Sequence, residues 1–189
     1  PLSLSNLNLN HRFGVFEVGM NHSGEINQLS GMINPHLAII TNIAEAHIEN
    51  FNSIKDIAKT KSEIINNIEN KGILILNRDD KFFNYLNKKA KLRNIKVITF
   101  GISKKSDVYP ITIKQQRKVK QITINVKNEI LNLKVKNINI YNVLASLAVL
   151  KVFSLDLKKT IKVFLRYQPS EGRGRVHKIK RYKKFFYLI

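Results

Sequence analysis

Two short, uninterrupted apolar runs constrain this chain more than any other feature in it. Leu37–Thr41 reads LAIIT and Gly72–Leu76 reads GILIL. Runs of this length without polar alternation suit strands buried on both faces, as in a parallel sheet covered by helices on each side. The neighbouring segments agree. Glu25–Ile33 and Asp79–Ala90 have helical character, and Ser53–Ile68 carries a one-sided apolar stripe with Ser53 placed as N-cap. Phe13–Val18 and Ile95–Phe100 read as further strands. Strand and helix therefore alternate, and the expected fold class is α/β: a doubly wound, mostly parallel sheet flanked by helices.

The period changes after Gly101. Tyr109, Ile111 and Ile113 alternate with polar residues, as do Ile122, Ile124 and Val126, then Leu131, Leu133 and Val135. Lys127–Glu129 separates the last two runs. This is the pattern of a small antiparallel meander solvated on one face. Helices are expected at about Ile140–Phe153 and Asp156–Tyr167, then a loop, PSEGRGR, and paired strands at Val176–Ile179 and Phe185–Ile189. The chain divides into a parallel part to about residue 104, a meander over 105–137 and closing helices and strands over 138–189, all of one domain. No internal repeat is visible.

With 189 residues, 43% of them apolar, the chain can bury a substantial core. It has no cysteine, which excludes a disulfide framework and a thiolate zinc site and fits a reducing compartment. No apolar run approaches the ~20 residues of a spanning helix, and no signal peptide is visible. The first residue is Pro and the last residues are FFYLI, so a fragment cut at both ends is expected. The formal net charge of +20 has two readings. One is neutralisation of nucleic-acid phosphates, with the cluster Arg173–Lys184 as its focus. The other is compositional drift in a chain rich in Lys, Asn and Ile and lacking Trp, with that cluster as a solvated face. No base-stacking motif accompanies the charge.

Several residues carry possible chemistry. In FEVGMNHSGEI, Phe16–Ile26, the acid Glu17 ends an apolar strand and glycines and amides follow. That is either a strand end and turn, or a metal or phosphate site at a sheet edge. Lys61 falls in the gap of the stripe formed by Ile54, Ile57, Ala58, Ile64, Ile65 and Ile68, whereas Lys55 and Lys59 lie away from it. An inward lysine must snorkel, find a carboxylate or be chemically altered, because a bare buried ammonium is costly. TNIAEAHIENF, Thr41–Phe51, follows an apolar strand directly, at the usual ligand crevice of open α/β sheets. Its Asn42 is a turn residue or a ligand, and its His47 a surface residue or a site residue. Asn139 suits an N-cap, Asn142 has less structural excuse, and Arg173 is a loop cation or a phosphate contact.

FEVGMNHSGEI, TNIAEAHIENFNSIKDIAKTKSEI, GILILNRDD and NIYNVLASLAVL, in this order and spacing, resemble the central domain of the Mur ligase family over nearly the whole chain. Within the family, the likeness is to the type that adds D-alanyl-D-alanine to a UDP-muramoyl tripeptide. The resemblance implies ATP and Mg²⁺ as cofactors and amide formation through an acyl phosphate. It implies UDP-MurNAc-tripeptide and D-Ala-D-Ala as partners, no membrane or nucleic-acid partner, a monomer, and the bacterial cytoplasm. By position, Glu17 is similar to a magnesium-binding glutamate and His47 to a histidine that helps hold a second magnesium. Lys61 resembles a lysine carried by several members as a carbamate. Asn139 and Asn142 resemble the pair beside adenine, Asn42 is a further nucleotide-side candidate, and Arg173 resembles an arginine of the closing loop.

There are departures. No G-x-x-G-K-[ST] occurs in these 189 residues, nor does the family's C-terminal domain, and Ile138 stands where many relatives have histidine. The chain alone is therefore expected to be inactive. The alternative readings are a basic nucleic-acid-binding module and a folded but inactive remnant.

Overall fold

The structure, a computed structural model, describes residues 2–45, 48–117, 119–136, 138–167, 177–181 and 184–188. After a short helix α1 (Leu2–Ser5) come α2 (Glu25–Ile33), β1 (Leu37–Ile40), α3 (Ile54–Lys61), β2 (Ile73–Asn77), α4 (Phe83–Leu92) and β3 (Lys96–Phe100). Then follow β4 (Val108–Gln116), β5 (Val119–Val126), β6 (Glu129–Lys136), α5 (Ile140–Val152), α6 (Leu157–Arg166), β7 (His177–Arg181) and β8 (Lys184–Leu188). β1 to β6 form one sheet in sequence order, parallel from β1 to β4 and antiparallel from β4 to β6, and β7 pairs with β8 in a separate antiparallel ribbon. The mixed α/β fold expected from the apolar runs is thus present. The meander is not a separate layer. It extends the parallel sheet through one pairing, Phe100 with Val108.

Strand parity sorts the core into two layers. On one face Ala38 and Ile40 of β1 and Leu74 and Leu76 of β2 join Ile26 of α2, Ile57 and Ala58 of α3 and Leu86 and Ala90 of α4. On the other, Ile75, Ile98 and Phe100 join the inward residues of the meander, five residues of α5 and Leu157 of α6. α5 buries Val143, Leu144, Ala145, Leu147 and Ala148. Each fully buried Leu there contributes about 1.5–3 kcal/mol relative to exposure. α5 is therefore the keel of the second layer, and its first turn stands at a fixed place over the sheet.

Four expectations are corrected. Phe13–Val18 joins neither sheet and takes no regular secondary structure. Val18 and Met20 pack against the α2–α4 layer, Phe13 meets Phe153 edge-on at 5.1 Å between ring centroids, and Val15 is 94% exposed. Alternation supplies a face, but a strand also needs a ladder of hydrogen bonds with a neighbour. The helix expected over Ser53–Ile68 keeps its cap, Ser53 accepting from Asp56 N, but α3 ends at Lys61 and Ser62–Asn67 tightens to a 3₁₀ helix. There the Ser62 hydroxyl donates to the Lys59 carbonyl at 2.6 Å, a local bond that competes with the α-helical ladder. The helix expected from Asp79 starts four residues later at Phe83, because Asn77 and Asp80 turn the chain first. In β4 a bulge between Pro110 and Thr112 breaks the alternation. Pro110 and Ile113 lie opposite the inward residues Ile124 and Ile122, and Ile111 stands outside the register.

Candidate functional site

The crevice at the carboxyl ends of the parallel strands is held by side chains that reach from one strand end to the next. Asn77, the last residue of β2, donates from Nδ2 to Thr41 O beyond β1 at 3.3 Å and accepts from Asp79 N at 3.0 Å. Asp80 accepts from Ile43 N through Oδ2 at 2.7 Å and from Phe82 N through Oδ1 at 2.7 Å. One carboxylate thereby fixes the loop after β1 against the turn after β2. Backbone N–H groups satisfied this way do not need a strand partner.

Lys61 points into this corner. Half-buried at the end of α3, its Nζ donates to Asn42 O at 2.8 Å. Burial pushes its pKa below the usual lysine value, and the nearby Asp80 carboxylate opposes that shift. The inward placement expected from the broken apolar stripe is therefore real, whereas Lys59 lies exposed and pairs with Asp56 at 3.3 Å. The structure brings Lys61 and Asn42 together through the Asn42 carbonyl, and the Asn42 residue is exposed.

Glu17 is exposed in the irregular segment before Gly19. The turn that follows is built by two other acids. Glu25 accepts from Asn21 N at 2.6 Å and His22 N at 3.1 Å, and those bonds hold its carboxyl below the ordinary range, Asn21 contributing most. Glu63, from the 3₁₀ helix, accepts from Gly24 N at 2.9 Å, Asn27 N at 3.1 Å and Ser23 Oγ at 3.2 Å. It caps α2 across the fold where the N-cap Gly24 has no side chain to do so. Gly24 itself sits at φ 92, a left-handed conformation that favours glycine. A side chain at Gly19 would meet open space.

At the amino end of α5, Asn139 accepts from Tyr141 N at 2.9 Å, as an N-cap does, and Asn142 is exposed in the first turn. Sequence reasoning passed over Asp79 and Tyr141, yet they meet here. Tyr141 OH donates to Asp79 Oδ2 at 3.2 Å, and the same oxygen accepts from Ile102 N after β3. Burial, then the Asp79 charge and hydrogen bond, push the Tyr141 phenol above its ordinary pKa. The signal available for Asp79 was its place two residues past an apolar strand. His47 and Arg173 lie outside the described residues. Among the described residues, no three His, Asp or Glu side chains gather into a metal cage. No helix among them is long and apolar enough to cross a membrane.

Known proteins place this architecture. The family model described as the Mur ligase middle domain matches residues 1–150, and the chain belongs to that family. It is similar to the UDP-N-acetylmuramoyl-tripeptide–D-alanyl-D-alanine ligase of Rickettsia prowazekii, 27% identical over 95% of this chain and 41% of that protein. The ligase of the same name from Buchnera aphidicola of Acyrthosiphon pisum is 30% identical over 89% of this chain and 38% of its own length. Among solved structures, MurF from Acinetobacter baumannii superposes with a TM-score of 0.83 and 26% identity, over 96% of this chain and 39% of that one. The chain thus spans about two-fifths of the length of these relatives. MurF of Thermotoga maritima in complex with ADP shares the fold, at a TM-score of 0.70 and 21% identity, over 82% of this chain and 36% of that one.

Proposed function

We propose that this chain is the central domain of an ATP-dependent, amide-forming ligase of peptidoglycan precursor synthesis, one that joins D-Ala-D-Ala to UDP-MurNAc-tripeptide. The observation that carries the proposal is the half-buried Lys61 at the carboxyl ends of β1 and β2, facing Asn42 and Asp80, in a chain of the Mur ligase family. The tripeptide carboxylate attacks the γ-phosphorus of ATP, ADP leaves, and an acyl phosphate forms. The amine of D-Ala-D-Ala then attacks the acyl carbon and phosphate departs. No protein nucleophile takes part, so the domain's work is binding, positioning and charge compensation.

The donor set suits Mg²⁺ in kind. Glu17 offers an exposed carboxylate, and the exposed Thr41 and Asn42 side chains offer oxygens just beyond β1, the hard donors this ion takes. As an ammonium, Lys61 is no ligand. It serves either as a cation facing phosphate or, once carbamylated, as an anion supporting a metal, and its lowered pKa makes the neutral amine needed for carbamylation easier to reach. In this reading Glu17, His47 and, once carbamylated, Lys61 would hold magnesium, which would supply neutralisation of phosphate charge. Asn139, Asn142 and Asn42 lie on the nucleotide side, and Arg173 belongs to the closing loop. The ligase acts as a monomer in the bacterial cytoplasm.

The test is phosphate release and amide formation by the ligase that carries this domain. Both are expected only with ATP, Mg²⁺, tripeptide and D-Ala-D-Ala together. The 189-residue chain alone, which contains no G-x-x-G-K-[ST], is expected to release none. Phosphate release that ignores the tripeptide, or no release from the complete ligase, overturns the proposal.

A further inference from the structure

We infer that Asp79 and Tyr141 form a latch that sets the amino end of α5 against the strand ends, making both positioning residues for the nucleotide; this rests on the ligase reading above. Asp79 stands two residues past β2 and ties down two other parts of the chain. Its Oδ2 accepts from Tyr141 OH at 3.2 Å and from Ile102 N, and its Oδ1 accepts from Ser103 N at 3.4 Å. A single carboxylate thus joins the end of β2, the loop after β3 and the first turn of α5.

The space around it is built for that contact. A Cβ at the buried Gly101 would lie 2.7 Å from Asp79 Oδ2 and 3.0 Å from Ser106 Oγ, so any larger residue would displace the carboxylate. Tyr141 lies between Asn139, which caps its N–H, and Asn142 on the same first turn. Whatever fixes the Tyr141 ring fixes both amides, while the rest of α5 is anchored independently by its buried residues. Losing the latch therefore loosens the first turn and leaves the helix in place.

The experiment compares Tyr141→Phe and Asp79→Asn with wild type in the complete ligase. Loss of one hydrogen bond to a charged group is expected to raise the KM for ATP about tenfold. kcat is expected to stay within about twofold, because the latch touches no reacting atom. In wild type, the Tyr141 phenol, followed by NMR of labelled tyrosine, is expected to titrate above the ordinary range. In Asp79→Asn it should titrate lower than in wild type. An unchanged KM for ATP in Tyr141→Phe, a fall in kcat alone, or a Tyr141 titration that ignores Asp79→Asn each overturns the latch and leaves the ligase reading standing. A wild-type ligase that turns over no ATP overturns both.

Discussion

The parallel and antiparallel halves of the sheet solve the same problem differently. In the meander, β5 and β6 are joined by a two-residue turn, Lys127–Asn128, with φ of 47° and 71°. Both central residues are left-handed, as a type I′ hairpin requires, so the ladder closes on itself within a few residues. In the parallel half, helices separate β1 from β2 and β2 from β3, a loop leads from β3 to β4, and no hairpin turn joins the strand ends. Acids do it instead. Asp80 holds Ile43 N, Asp79 holds Ile102 N, and Asp107 accepts from Thr99 N at 2.8 Å and Thr99 Oγ1 at 2.7 Å. The polar groups that serve the loops of the parallel half thus collect at one edge of the sheet. That edge also carries the exposed Thr41 and Asn42 and the half-buried Lys61.

The largest expected effect breaks the comparison at Lys61. In the complete ligase, Lys61→Ala is expected to lower activity by two orders of magnitude or more (about 3 kcal/mol or more in barrier height) with little loss of fold. Lys59→Ala, one turn-half away and solvent-facing, should be nearly silent. Equal activities in a paired assay at saturating ATP would remove Lys61 from the mechanism, and loss in both would point to helix destabilisation.

Next comes the shared floor of both halves. Phe100 is fully buried and is the residue through which β3 meets β4. Phe100→Ala is expected to cost about 3–5 kcal/mol by denaturant unfolding. A cost under half of that would mean that the two halves pack more independently than the continuous sheet implies.

The strand-end acids should rank below it. Asp80→Ala leaves Ile43 N and Phe82 N without acceptors and is expected to cost about 1–3 kcal/mol. Faster amide exchange is expected at Ile43 and unchanged exchange in β5. Uniform acceleration would deny the acid a local role.

A pH effect of smaller size belongs to Lys61. Its folded pKa lies below the unfolded value, so between the two the unfolded chain binds more protons and stability rises with pH. Below the folded pKa the penalty is fully present. Lys61→Met is therefore expected to raise the melting temperature at neutral pH, and its advantage should shrink as pH approaches the ordinary lysine range. A constant difference across that window would show that Lys61 carries no burial penalty.

The smallest effect sharpens the meander side. Asn128→Gly, at φ 71°, is expected to change stability by only a few tenths of a kcal/mol, whereas Asn128→Val should cost about 1 kcal/mol or more. Equal stability of the two would argue against a left-handed turn there.

Legibility in the sequence followed the range of the interaction. LAIIT and GILIL became β1 and β2 because an apolar run reports burial by itself. Ser53 and Asn139 cap their helices as expected, since an N-cap and its partner lie within three residues of each other. Lys61 could be picked out because it interrupts a helical stripe. Its bond to the Asn42 carbonyl and the nearby Asp80 charge could not, because Asn42 lies 19 residues away in the chain and Asp80 beyond the next strand. Glu63 capping Gly24, 39 residues away, and Tyr141 meeting Asp79, 62 residues away, left no periodic trace.

By itself, then, the sequence determined the buried runs of β1 and β2, the alternation of β5 and β6 with a turn within Lys127–Glu129, the two N-caps and the lysine that interrupts the stripe of α3. These depend on residues a few positions apart, whose geometry the backbone repeats. Tertiary structure decided that Phe13–Val18 would stay outside both sheets, that the helix after Ser53 would tighten at Ser62, and which backbone amide each strand-end acid would hold. A ladder or a tertiary hydrogen bond exists only when its second partner arrives in space, and one segment's pattern carries no record of where the other will be.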